Sequence, residues 1–138
     1  MMTENEIFDR LAPLLVEVLG VEPKRITPGS GLVRDLGAES IDLLDLSFRI
    51  EEEFKVSLEA NEVEKEARLR LPGGVYEKNG FLTEEAIAGL PQLIPEVDRT
   101  RLVAGLRKTD VPALLTVAFF VRLIARKLAQ PTGEAGHA

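Results

Sequence analysis

The chain has 138 residues, 45% of them hydrophobic, a size and composition that fit one domain with a buried core. Its 17 basic and 23 acidic residues leave a net charge of −6, which disfavours nucleic acid and anionic membrane surfaces and favours basic partner surfaces. Cysteine and tryptophan are absent, and the one histidine, His137, stands next to last in a tail, residues 131–138, that reads as disordered. Disulfides, thiol nucleophiles, cysteine-based zinc sites and histidine triads are excluded. No nucleophile–base pair and no metal set can be assembled, so an enzyme in its own right is the least expected reading.

The acidic, amphipathic N-terminus lacks the basic start and apolar stretch of a secretion signal. The longest uncharged apolar run, Val111–Val121, is too short to cross a bilayer. These features predict a cytoplasmic protein without stable membrane insertion.

Residues 3–19 read as a helix, with Ile7, Leu11, Leu14, Leu15 and Val18 at helical spacing, Thr3 and Glu6 forming a capping box, and Gly20 as the stop. Pro13 removes the amide that would bond to the Asp9 carbonyl and predicts a kink or a helix in two pieces. Residues 20–38 carry turn chemistry, yet Val21, Ile26, Leu32, Val33 and Leu36 are spaced through them. Such a loop is expected to be pinned on a core. A second helix is predicted over about 40–54, with Ile41, Leu44, Phe48, Ile50 and Phe54 as its buried stripe and Gly37 allowing a sharp entry.

Glu59–Arg70 is charged and helix-prone; Leu71-Pro72-Gly73-Gly74 and Lys78-Asn79-Gly80 read as turns, with room for a tight hairpin between them. Thr83 is placed to cap a short helix reaching about Leu90. Another amphipathic piece is predicted beyond Pro95, with Val97, Leu102, Val103 and Leu106 on one side. The last helix starts between Asp110 and Thr116, ends near Leu128, and is apolar nearly all round from Leu114 to Ile124. It should be the most buried element.

Charge is uneven along this frame. Residues 39–53 hold Glu39, Asp42, Asp45, Glu51, Glu52 and Glu53 against Arg49 alone, whereas residues 99–128 are basic, which predicts a charge dipole. Glu39, Asp42 and Asp45 recur every third residue beside Ser40. They form either an ordinary solvated face or a docking ridge. Ser40 stands where the loop gives way to the helix. It is either a helix cap or an exposed hydroxyl at a dipole end that welcomes a phosphate ester.

The string Asp35-Leu36-Gly37-Ala38-Glu39-Ser40-Ile41-Asp42-Leu43-Leu44-Asp45-Leu46, running to Glu51-Glu52-Glu53-Phe54, strongly resembles the second helix of an acyl carrier protein. The resemblance extends back from Leu36 to Ile7, through Leu19-Gly20-Val21 and Ile26-Thr27-Pro28, and resumes from Thr116-Val117 to Ile124. It implies an all-α, acyl-carrier-like four-helix bundle over residues 1–130, with an added helical and loop insertion at about 59–108. It also implies 4′-phosphopantetheine esterified to Ser40 by a phosphopantetheinyl transferase, its terminal thiol holding acyl groups as thioesters. Glu39, Asp42, Asp45, Glu51 and Glu52 would dock on basic patches of activating, synthase or acyltransferase partners. Ile41, Leu44, Phe48, Phe119 and Phe120 would line an acyl-chain pocket, though core packing also accounts for the two phenylalanines.

The chain departs from the family pattern where Asp-Ser-Leu becomes Glu39-Ser40-Ile41, in the cation Arg49, and in the insertion. The insertion reads either as a lid or partner surface near the arm or as an extension of the bundle. The combined expectation is a monomeric, non-catalytic carrier in a specialised fatty-acid, lipid or polyketide-like pathway. The alternatives are a peptidyl carrier and an unmodified carrier-like interaction module.

Overall fold

The computed structural model describes residues 2–59, 61–70 and 74–130. Its elements in chain order are α1 (Glu4–Leu19), α2 (Ser40–Phe54), α3 (Glu62–Arg68), β1 (Glu77–Lys78), β2 (Phe81–Leu82), α4 (Glu84–Leu93) and α5 (Val117–Ala129). Short 3₁₀ turns lie at Pro23–Arg25, Arg99–Arg101 and Lys108–Leu114. The expected disordered tail and most of the turn beginning at Leu71 lie outside the described residues.

Local signals set α1. Thr3 Oγ1 accepts from the Glu6 amide at 3.1 Å while Glu6 Oε1 accepts from the Thr3 amide at 2.8 Å, satisfying two donors that a helix start leaves free. Gly20 closes the helix at φ 67°, a left-handed turn that costs glycine little. Pro13 does not divide the helix in two pieces, and α1 runs through as one element. Pro13 is exposed, so the carbonyl it leaves without an amide partner can turn to water.

Ile7, Leu11 and Leu15 of α1 meet Leu46, Ile50 and Phe54 of α2 and Val117, Val121 and Ile124 of α5 in a first core. The long loop after α1 contributes Ile26, Leu32, Leu36 and Ala38 to the same core, so the loop is pinned as its apolar spacing predicts.

A second core lies on the other side of α5. Phe119 and Leu123 pack there with Tyr76, Leu90, Ile94 and Val111. This two-sided burial explains why α5 is apolar nearly all round. The family-like core and the added residues therefore share one helix as a common wall.

Three details of the added region differ from the sequence reading. The hairpin turns on Asn79 and Gly80, both at positive φ (55° and 88°), with Glu77 paired to Leu82 and Lys78 to Phe81. Asn-Gly is the pair best suited to such a turn. Helix α4, capped by Thr83 Oγ1 on the Ala86 amide, runs past Leu90 to Leu93 with Pro91 inside it. The expected amphipathic piece beyond Pro95 is only a 3₁₀ turn, and of its four apolar residues Val97 is buried while Val103 is exposed. The turn ends at Leu102, whose backbone (φ −91°, ψ 83°) has already left the helical region.

Candidate functional site

Ser40 is the first residue of α2, and its side chain is exposed. It is not the cap. Glu39 takes that position in extended conformation, and its amide donates to the Asp42 carboxylate at 2.9 Å. Ser40 Oγ has no hydrogen-bond partner among the described residues. The hydroxyl is therefore free at the positive end of a helix dipole.

The loop that presents Ser40 is held from both sides. Leu32 N–H donates to the Leu115 carbonyl at 3.1 Å, and the Val117 and Ala118 amides donate to Ser30 and Pro28 carbonyls at 2.9 and 2.8 Å. The free amides at the start of α5 thus clamp the loop. Asp35 accepts from the Gly31 amide at 2.7 Å, and Arg25 donates to the Asp35 carbonyl at 2.5 Å. Gly37, at φ 75°, then turns the chain so that Ala38 is buried and Ser40 is exposed two residues on.

Only the end of the expected buried stripe of α2, Ile50 and Phe54, is buried. Ile41, Leu44 and Phe48 are 71%, 56% and 60% exposed. The buried residues are Leu46, Ile50 and Phe54, with Leu43 half-buried beside them. The helix carries two apolar stripes, 41/44/48 and 43/46/50/54, both at helical spacing. The second is the one turned to α1. Its outward face is consequently mixed, with three exposed apolar side chains set among acids.

Those acids differ in how free they are. Glu39 and Glu52 are exposed. Asp45 accepts from Arg49 Nε at 3.2 Å, and Arg49 also reaches Glu17 at 2.5 Å. Glu51 accepts from the Leu58 amide at 2.7 Å and so anchors the loop after α2. Asp42 is committed to the cap. The basic stretch 99–128 is also partly spent: Lys108, Arg122 and Lys127 pair with Glu64, Glu96 and Glu62 at 3.1, 2.8 and 2.6 Å, and Arg126 pairs with Glu66. The expected dipole is thereby reduced, and α2 keeps its outward negative face.

A cavity of about 280 Å³ opens between α2, α3 and α5. Leu44, Phe119 and Phe120 line it as expected, whereas Ile41 and Phe48 do not. Leu43, Ser47 and Leu58, which the sequence reading did not assign to a pocket, complete much of its wall. Phe119 and Phe120 meet edge to face, their centroids 5.4 Å apart, a favoured geometry that fixes both rings. Ser47 Oγ is turned back to the Leu43 carbonyl at 3.0 Å, leaving the α2 wall apolar in character.

A family model described as the phosphopantetheine attachment site matches residues 9–70. That span takes in most of α1, the pinned loop, α2 and α3. The acyl carrier protein of Petrotoga mobilis is 36% identical over 64 residues, covering 46% of this chain and 75% of that protein. The acyl carrier protein of Thermotoga maritima is 38% identical over 65 residues, covering 47% of this chain and 80% of that protein. The chain belongs to the acyl carrier protein family.

Acyl carrier proteins hold 4′-phosphopantetheine covalently and are carriers, not enzymes. They work with phosphopantetheinyl transferases and acyl-handling enzymes. The residues present fit the group: an unbonded, exposed hydroxyl at a helix start offers a phosphodiester both access and a favourable dipole. Residues 59–70, placed in the insertion by the sequence reading, fall inside the family match. Among the described residues, no helix is long and apolar enough to cross a membrane.

Proposed function

We propose that Ser40 is the attachment point of 4′-phosphopantetheine and that the chain carries acyl intermediates in a specialised fatty-acid, lipid or polyketide-like pathway. The observation that carries this reading is the free, exposed Ser40 hydroxyl on a clamped loop at the start of an acidic helix. Bound there, the group supplies a terminal thiol on a flexible arm, which a chain without cysteine otherwise lacks. The chain's own residues present the hydroxyl, hold the loop rigid and shape the cavity one turn along α2.

The mixed outer face of α2 supports a docking role. Glu39, Asp42, Asp45, Glu51 and Glu52 attract basic partner surfaces, and exposed charges mainly raise encounter rate and set orientation. Ile41 and Phe48, which leave the cavity wall to other residues, add apolar contact area to that face. The carrier acts as a cytoplasmic monomer in this account.

Intact-mass measurement after incubation with a broad-specificity phosphopantetheinyl transferase and coenzyme A tests the reading. The wild-type chain gains the mass of one arm, and Ser40→Ala gains none. An unchanged wild-type mass leaves the unmodified interaction module as the better description. Loading assays with fatty-acid and amino-acid activating enzymes separate an acyl from a peptidyl carrier.

A further inference from the structure

The added region holds a cavity of its own. It measures about 530 Å³ and opens between α3 and the 3₁₀ turn at Lys108–Leu114, with Val63, Val111 and Pro112 as apolar walls. Val63 and Pro112 also border the cavity beside α2, whereas Glu64, Tyr76 and Lys108 line this one alone. Tyr76 is 2% exposed. Its carbonyl accepts from the Thr83 amide at 3.1 Å, but its hydroxyl has no hydrogen-bond partner among the described residues. The unpaired side-chain oxygens sealed from solvent among those residues are Glu62 Oε1 and Glu66 Oε2, and Tyr76 Oη is not one of them. Oη therefore keeps accessible surface. Burial first, and then the nearby Glu64 charge in the same wall, push the phenol up to about 12. The hydroxyl end of the ring thus lies on the Glu64 side, along the cavity, and holds its proton at neutral pH. A buried tyrosine O–H ordinarily finds an acceptor.

We infer that the cavity of the added region is a small-molecule site, distinct from the one beside α2, for a neutral and mainly apolar compound that presents a carbonyl oxygen to Tyr76 Oη. Its volume lies in the range of ordinary ligand pockets, which pair apolar walls with a few converging polar groups. Neutrality follows from the mouth: Glu64 and Lys108 already pair at 3.1 Å, so a charged compound would bring an unbalanced charge against apolar walls. The carbonyl follows from the phenol. A hydrocarbon would fill the same walls and leave the O–H unmet, whereas a carbonyl oxygen accepts that proton and brings none of its own. The hairpin and α4 hold the donor in place through the Tyr76–Thr83 bond. Neither Ser40 nor the arm takes part.

Tyr76 is the one tyrosine of the chain, so the full chain isotope-labelled at tyrosine Cζ gives a single nuclear magnetic resonance signal beside the hydroxyl. The probes are acetophenone, its carbonyl-free analogue ethylbenzene, and the charged benzoate and benzylamine. Acetophenone should shift the Tyr76 signal saturably. In Tyr76→Phe, followed through the methyl signals of Val63 and Val111, acetophenone should bind about fivefold more weakly, the worth of one ordinary hydrogen bond, while ethylbenzene binds as it does to wild type. Benzoate and benzylamine should bind at least about tenfold more weakly than acetophenone. Thr109→Trp, at the exposed mouth of the cavity, should abolish the acetophenone shift, and it decides the matter should Tyr76→Phe fail to fold. A Tyr76 signal that acetophenone leaves unmoved, equal acetophenone affinity in Tyr76→Phe, a shift that persists in Thr109→Trp, or charged probes that bind as tightly as acetophenone overturns the inference. Transfer of the arm to wild type proceeds whichever way the titration falls, so the carrier reading stands or falls separately.

Discussion

The chemistry of single residues is dominated by how each carboxylate is spent. Burial alone would raise the Glu96 carboxyl, but hydrogen bonds from Arg122 and Thr116 overcome it and hold it below the ordinary 4.5. The Arg68 hydrogen bond does the same for Glu64 against partial burial, with Lys108 assisting. Both groups are depressed in the folded chain, so their stabilisation is complete above the ordinary value and is lost as pH falls through the folded one. Stability should therefore be level from pH 7 to about 5 and decline below the ordinary 4.5. Urea midpoints across pH 3–7 check this. Glu96→Gln should flatten the acid limb, and a midpoint rising toward low pH would contradict the assignment.

Glu66 is buried and faces Arg126 and Arg70. Glu66→Ala leaves Arg126 without that partner, but the arginine side chain is partly exposed and reaches water. The loss should be about 2 kcal/mol, short of the roughly 3–5 kcal/mol for a fully enclosed pair. Denaturant unfolding measures it. Gly37 is different in kind: nothing lies within 4 Å of where a Cβ would stand, so only its φ of 75° resists substitution. Gly37→Ala should cost about 1–2 kcal/mol in stability and slow arm transfer, because the turn aims Ser40. Unchanged transfer kinetics would show that the turn does not set access.

Among the elements, α5 has the widest reach, since Val117, Val121 and Ile124 face the first core while Phe119 and Leu123 face the second. Ile124→Ala and Phe119→Ala should each cost about 3 kcal/mol. Because the wall is shared, each should lower one common unfolding transition. Two separated transitions in calorimetry would mean that the added region folds independently.

The same elements show what a sequence can tell a reader. The bounds of α1 and α2 were legible because their start and stop signals are local: Thr3 with Glu6, Gly20, and the Gly37 entry. The string around Ser40 that carries the family resemblance was legible for the same reason. The buried side of α2 was legible only at Ile50 and Phe54; earlier in the helix two apolar stripes compete, and only the position of α1 chooses between them. Within residues 77–114 the Asn79-Gly80 turn and the Thr83 cap of α4 were legible, but the remainder was not, because 3₁₀ turns and paired two-residue strands carry no long period.

At the scale of the whole molecule, an acidic, partly apolar helix face stands on one side and a second core on the other, joined through α5. The net negative charge is concentrated where docking is proposed, while acids of the added region pair with Lys108 within it and with Arg122 and Lys127 of α5. Glu52→Lys should slow arm transfer severalfold at low ionic strength, chiefly through association, and added salt should shrink the difference. Neutralising Asp45 should matter less, since Arg49 already stands 3.2 Å from it. Equal rates for all three proteins would make the acids an ordinary solvated face.

The proposed tether is a single oxygen atom, Ser40 Oγ. Trypsin cutting after Arg34 and Arg49 releases a peptide, Asp35–Arg49, that contains Ser40 and Ser47. Fragment-ion mass spectrometry of this peptide from arm-loaded chain should place the whole added mass on Ser40, because the Ser47 hydroxyl is turned into its own helix. Added mass on Ser47, or a peptide of unmodified mass after exhaustive treatment with transferase, would contradict the account.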